Sequence, residues 1–191
     1  MSNPLLSVLI PTINGRERYF DHITKKLTRQ IHQVGEKKVQ LLFYKDKRGE
    51  STTGAKRNVL LEQSTGKFVV FVDDDDDVSL DYVSSIVKAI EENPDIDGIG
   101  INGMYSDGRQ QMPFETGMRW NWDTVNGYYV RFINHISPIK REHAIKIGFP
   151  DKTIGEDYDF TMRLKQSGLI KTDYIIKKRI YYYDFRPNKN D

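Results

Sequence analysis

The sequence predicts an α/β fold with a mostly parallel central sheet, helices on both faces and a smaller antiparallel part towards the C-terminus. Three observations predict it. Over the first ninety residues, short apolar runs alternate with segments of helical period, the order that builds a parallel sheet covered by helices, Rossmann-like in the broad sense. The runs themselves are short and closed by turn-forming residues, as buried strands are. Beyond about residue 105 the texture becomes Tyr-, Trp- and Gly-rich without a helical period.

Taken in order, "LLSVLI" (5–10) is a strand closed by Pro11. Apolar residues then fall at Phe20, Ile23, Leu27, Ile31 and Val34, one face of a helix that Gly35 ends. "VQLLFY" (39–44) is the second strand, and "AKRNVLLEQS" (55–64) the second helix. "KFVVFV" (67–72) is the third strand, followed by a helix with Val83, Ile86, Val87 and Ile90 on one face. "IDGIGI" (96–101) reads as a fourth strand, and residues 105–135 as antiparallel strands or long loops. "KREHAIKIG" and "GEDYDFTMRLKQSG" read as short helices, and "RIYYYDF" as a late strand. The 191 residues contain no internal repeat or linker, so 1–191 is one domain with a single sizeable core.

Composition narrows the function classes. No apolar run approaches the roughly 18–20 residues of a membrane span. The N-terminal "MSNPLLSVLIPT" lacks a basic leader and runs straight into a strand, unlike a signal peptide. The absence of cysteine excludes disulfides, thiolate metal sites and thiol catalysis, and it suits a cytoplasmic setting. Charge is unevenly spread: residues 1–72 carry 13 Lys/Arg against 6 Asp/Glu, whereas 73–170 carry 10 against 18. A basic front beside an acidic centre is compatible with an anionic ligand held through a divalent cation.

The acidic centre begins with five consecutive aspartates, Asp73–Asp77, directly after the third strand. In open α/β sheets, ligands bind beyond the carboxyl ends of the strands. Neighbouring carboxylates there suit a hard cation such as Mn²⁺ or Mg²⁺, which keeps waters and takes phosphate oxygens as further ligands. The alternative is a solvated acidic loop that favours the N-terminus of the next helix. An EF-hand fails on spacing, because the run lacks alternating ligands, a central Gly and a distal Glu.

Four blocks in order, "SVLIPTINGRERYFDHI", "LLFYKD", "GAKRNVLLEQSTGKFVVFVDDDDDVSLDYV" and "GEDYDFTMRL", resemble the family 2 glycosyltransferases, which have the GT-A fold. The resemblance covers about 1–102 and 130–168. It implies a nucleotide-sugar-binding part over 1–102, an acceptor-side part over 103–191, and a metal-dependent inverting transfer from a nucleotide-sugar donor, commonly a UDP-sugar, to an acceptor hydroxyl. Carried onto this chain, it places Pro11, Thr12 and Asn14 in the nucleotide-contacting loop, Asp46 at the base and Arg57 near the nucleotide. Asp73-Asp74-Asp75 falls on the Asp-any-Asp motif, with Asp75 holding Mn²⁺ or Mg²⁺ and Asp73 and Asp74 meeting the ribose or metal waters. Asp157 matches the catalytic base, a group that typically contributes about 10²- to 10⁴-fold. Glu156 and His135 are acceptor-side candidates, and Trp120 and Trp122 either stack on a sugar or pack in the core.

One departure from the family pattern is visible. Many relatives carry a C-terminal histidine as a further metal ligand, where this chain offers Arg186. Two other classes compete. Sugar nucleotidyltransferases share the sheet and Mg²⁺, but carry a Gly-rich basic loop after the first strand, where "PTINGRER" has one glycine. A non-catalytic module for anionic polymers would use "KTDYIIKKRIYYYDFRPNK", in which cations interleave with aromatics, but leaves the aspartate run and Asp157 without a task. The acceptor is expected to be a glycan or another hydroxyl carrier, including a hydroxymethylated DNA base.

Overall fold

The computed structural model describes residues 3–184; Arg186 lies outside them. In chain order the elements are β1 (Leu6–Ile13), α1 (Glu17–Val34), β2 (Val39–Asp46), α2 (Thr53–Gln63) and β3 (Phe68–Phe71). There follow β4 (Asp77–Val78), α3 (Tyr82–Glu92), β5 (Gly98–Ser106), β6 (Gln111–Thr116), β7 (Asp123–Val125) and β8 (Tyr128–Arg131). The chain continues through β9 (Ile139–Lys140), α4 (Arg141–Ile147), α5 (Glu156–Ser167) and β10 (Asp173–Asp184).

β1 is central to the N-terminal half, parallel to β2 from Leu6↔Val39 to Ile13↔Asp46 and to β3 from Leu6↔Phe68 to Leu9↔Phe71. The sheet runs β2-β1-β3-β9-β5-β6-β8-β7, with β10 parallel to β5 and β4 antiparallel to β10. β9 is antiparallel to both β3 and β5 and stitches the two halves together. The expected α/β sheet is therefore present, mostly parallel, and its later part mixes antiparallel β5–β6 and β7–β8 pairs with a parallel β6–β8 pair.

Strand alternation sorts the core into two layers. Leu6, Val8 and Ile10 of β1 pack with Val70, Val72 and the apolar stripes of α1 and α3: Ile23, Leu27, Val83, Ile86 and Ile90. Leu9 points the other way and joins Phe71, Leu60, Phe149, Phe160 and Leu164 beneath α2, α4 and α5. Both faces are thus covered, which explains why β1 reads as an unbroken apolar run rather than an alternating one.

Where helix meets loop, one glycine is required by close approach. A Cβ on Gly54, in the first turn of α2, would stand 1.9 Å from the Pro150 carbonyl oxygen. The Gly54 N–H donates to the Lys152 carbonyl at 3.0 Å. That contact fixes the loop leading into α5 against the start of α2. No helix among the described residues is long and apolar enough to cross a membrane.

Candidate active site

The aspartate run turns sharply after β3. The Asp76 N–H donates to the Asp73 carbonyl at 3.1 Å, closing a turn that sends the five side chains in different directions. Asp73 receives Arg57 Nη2 at 2.9 Å and faces His135 Nε2 at 3.6 Å. Asp74 accepts from the Thr12 hydroxyl at 2.5 Å and lies 3.2 Å from Arg16 Nη2. Asp75 pairs with the same Arg16 nitrogen at 2.6 Å. Asp76 accepts from the Tyr181 hydroxyl at 2.7 Å and from the Asp184 N–H at 3.1 Å. Asp77 takes Lys26 at 2.7 Å.

Their environments separate them electrostatically. Burial alone would lift the Asp73 carboxyl, but the Arg57 charge and His135 reverse this and hold it below the usual carboxylate range. Asp74 is pushed up to about 6, mainly by burial and further by the charges of Asp75 and Asp73, against the opposing pull of Thr12 and Arg16. Asp76 is pushed well above its ordinary value, by burial first and then by Asp73 and Asp75. One run of identical residues therefore presents three different proton affinities.

Two clefts open on either side of Asp73. One, about 530 Å³, is lined by Pro11, Thr12 and Arg16 from the β1 end, Lys56 and Arg57 from α2, and Asp73, Asp74 and Asp75. The other, about 570 Å³, has aromatic walls from Tyr105, Trp122, Tyr129 and Tyr183, with Asp157 and His135 beside them. Arg57, Asp73, Thr153 and Glu156 line both. A charged cleft and an aromatic cleft thus meet at one wall.

Arg57 organises that wall. Its side chain is only 3% exposed, with Nε 3.4 Å from Glu156 and the guanidinium 5.0 Å over Phe71 and 5.7 Å over Phe149. Burial raises the Glu156 carboxyl, Arg57 opposes this, and the neighbouring Asp157 adds to it. Asp157 itself is half-buried in the first turn of α5, where a helix N-terminus favours negative charge. Gly155, just before it, has φ of +72°, the left-handed turn that starts the helix and aims its first side chains at the cleft.

Other expected site residues are placed as follows. Asp46 is buried in an ion pair with Lys56 at 2.6 Å, so its lysine partner, rather than Asp46, lines the charged cleft. Asn14 is exposed, and its N–H ties the end of β1 to the Asp46 carbonyl at 2.8 Å. Trp120 turns its indole N–H to Glu115 at 2.6 Å and lies outside the aromatic cleft. Trp122 lines the cleft instead, with Arg131 stacked over it at 4.5 Å. Arg16 and Arg131 are additions that the residue pattern left unmarked. Each is one cation among many in the sequence, and only the fold shows what it faces.

The carboxylate set fits a hard divalent cation held at one or two oxygens. Asp75 lines the charged cleft and is 24% exposed, with Asp74 directly beside it. A closed protein cage is another matter: no group of three or more His, Asp and Glu among the described residues is arranged to hold a metal ion. Mg²⁺ and Mn²⁺ bound through one or two carboxylates and substrate phosphates do not need one.

With this geometry in view, comparisons with known proteins are informative. Residues 21–155 match the model of glycosyl transferase family 2. The fold is similar to a solved fragment of S. aureus TarS, residues 1–349, with a TM-score of 0.65, 22% identity, and coverage of 94% of this chain and 60% of that one. The same fragment in complex with UDP-GlcNAc matches with a TM-score of 0.66 and 22% identity over 95% of this chain and 58% of that one. Against a longer TarS structure the chain spans 36% of the length, with a TM-score of 0.64 and 22% identity. No curated protein matches the chain. A family match over most of the residues that build both clefts, on a sheet with this topology, places the chain in glycosyltransferase family 2.

Proposed function

We propose that the protein transfers a glycosyl group from a nucleoside-diphosphate sugar, with uridine as the base, to an acceptor hydroxyl, inverting the anomeric centre. The observation that carries this reading is the shared wall of Arg57, Asp73 and Glu156 between a charged cleft and an aromatic one holding Asp157. The family match supports it, as does the TarS fragment of the same fold solved with UDP-GlcNAc and with UDP.

The charged cleft takes the nucleotide, with Pro11 and Thr12 as one side and the Lys56 and Arg57 wall as the other. The aromatic cleft takes the acceptor, whose sugar or base stacks on Trp122 and Tyr129. Asp157 accepts the proton of the attacking hydroxyl. As it does so, that oxygen bonds to the anomeric carbon from the face opposite the departing diphosphate, and the bond to the diphosphate breaks with its electron pair leaving on the nucleoside diphosphate. Arg57 holds Asp73 and Glu156 in place, so the wall stays rigid while the two substrates meet across it. Mn²⁺ or Mg²⁺ at Asp75 would supply Lewis-acid stabilisation of the departing diphosphate.

Calorimetric binding of UDP, with GDP and TDP as controls, with and without Mn²⁺, tests the donor half on wild type and Asp75→Asn. Metal-dependent binding of UDP that collapses in Asp75→Asn is expected. Absence of metal-dependent binding of any of the three nucleotides sinks the reading.

A further inference from the structure

The aspartate loop carries its own cation. Arg16 Nη2 stands 2.6 Å from Asp75 Oδ2 and 3.2 Å from Asp74 Oδ1, so one guanidinium spans two adjacent carboxylates. The other aspartates are served from elsewhere: Asp73 by Arg57, Asp76 by Tyr181 and Asp77 by Lys26. Arg16 is the residue before α1, and it follows Gly15, whose φ of +93° makes the turn out of β1. A short loop, rather than a strand or helix interior, therefore carries the guanidinium. Its side chain is 22% exposed, yet its Nε is buried with no hydrogen-bond partner among the described residues. It lines the same charged cleft as Thr12, Lys56 and Arg57.

A divalent ion that binds Asp75 competes with a guanidinium nitrogen 2.6 Å from one of its oxygens, because two cations on one carboxylate repel each other. We propose that Arg16 is a resting counter-ion of Asp74 and Asp75 and exchanges with the metal. It offsets part of the charge of Asp74 and Asp75 while the cleft is empty, and a divalent cation displaces it from Asp75. The freed fork, whose buried Nε already lacks a partner, then turns to the diphosphate of the donor. Guanidinium groups suit this move, since their planar donors match phosphate oxygens as well as carboxylates. The last step rests on the donor reading given above; the cation exchange does not.

The two parts are separable by experiment. Mn²⁺ binding is followed by the loss of the free-ion electron paramagnetic resonance signal, without nucleotide, for wild type, Arg16→Gln and Arg16→Lys. Circular dichroism and urea midpoints establish that each variant is folded. Arg16→Gln is expected to bind Mn²⁺ about tenfold more tightly, the equivalent of removing roughly 1.4 kcal/mol of competing ion pairing, with Arg16→Lys in between. In the presence of Mn²⁺, calorimetry is expected to show UDP binding weakened in Arg16→Gln. Equal or weaker Mn²⁺ binding by folded Arg16→Gln overturns the exchange, as does failure of every protein to bind Mn²⁺. If Mn²⁺ affinity rises but UDP binds neither wild type nor variant, the exchange stands and the donor reading falls.

Discussion

Replacing Arg57 by methionine keeps an unbranched apolar stem and removes the guanidinium with its charge. The guanidinium is 3% exposed and 2.9 Å from Asp73 on one side, 3.4 Å from Glu156 on the other. Removing one partner of a buried ion pair strands the other and costs about 3–5 kcal/mol. Loss of the contacts over Phe71 and Phe149 adds roughly 0.5–2 kcal/mol. Two features of the site moderate this. Asp73 keeps His135 at 3.6 Å, and Glu156, whose affinity for a proton is already raised, escapes part of its penalty by protonation. The expected loss is therefore about 3 kcal/mol at pH 7, measured from urea unfolding curves. The pH dependence has a definite sign. Asp73 is held below the usual carboxylate range in the folded wild type, so its contribution is present above about pH 4 and disappears as the solution is acidified below that. The gap between wild type and Arg57→Met should therefore narrow as pH falls from 7 towards 3. A loss under about 1 kcal/mol at pH 7, or a gap independent of pH, would refute Arg57 as the electrostatic keystone of this wall. Adding Asp73→Asn to Arg57→Met should recover part of the loss, because the two residues share one interaction.

Three further outcomes are expected. Asp157→Asn should lower sugar transfer by about 10²- to 10⁴-fold while UDP affinity in calorimetry stays within about twofold, the mark of a group that acts on the acceptor proton rather than the donor. Gly54→Ala should cost about 1–3 kcal/mol in urea unfolding, since the added methyl meets a backbone oxygen 1.9 Å away; an unchanged midpoint would mean that the Pro150 loop yields freely. Asp97 takes Lys140 at 2.8 Å, the Lys171 and Thr172 N–H groups at 2.9 and 3.1 Å, and faces His143 at 3.4 Å. These partners, against the effect of burial, hold its carboxyl below the usual range, so Asp97→Asn should lose about 2 kcal/mol at pH 7. That loss should fade below pH 4, and a variant whose deficit persists unchanged at pH 3 would argue against the carboxylate charge as its source.

The first three strands and the helices between them were legible because their signals are local. Each is an apolar run or a 3.6-residue stripe, and each ends on Pro, Gly or a polar loop. The later part was less so. β10 begins at Asp173, six residues before the expected "RIYYYDF", because the three consecutive cations of "DYIIKKR" read as solvated. In the fold that charge lies along an edge, where β10 pairs with β5 through two register shifts. β4 and β9 have two residues each, too few to carry any period, yet β9 joins the halves of the sheet. Within 105–135 the β7–β8 hairpin was carried by "VNGY": Asn126 and Gly127 both have positive φ, 50° and 78°, the signature of a tight hairpin turn. α2 hid its role for a different reason. It buries Lys56 and Arg57, two cations that nothing local marks as internal, because Asp46 at the end of β2 and Asp73 just beyond β3 pair with them.

The aspartates show where reading by sequence stops. The run, its place after a buried strand and the family resemblance together locate the loop, but they give Asp76 and Asp77 no role. In the fold, Asp76 is the most structural of the five. Buried beside the Tyr181 hydroxyl and the Asp184 N–H, it fastens the end of β10 to the loop that lines the charged cleft. Asp77 opens β4 and binds Lys26 of α1. Partners of the run come from positions as far apart as 12, 16, 22, 26, 57, 135, 181 and 184, so no local pattern could assign them. What the sequence presents as one acidic patch is, in three dimensions, five carboxylates with separate tasks. Two pin the loop from outside the charged wall, one braces the wall through Arg57, and Asp74 and Asp75 share the Arg16 guanidinium, with the Thr12 hydroxyl also on Asp74. That division sets Asp74 and Asp75 apart from the other three, and a cation that comes to this pair meets Arg16 as a rival.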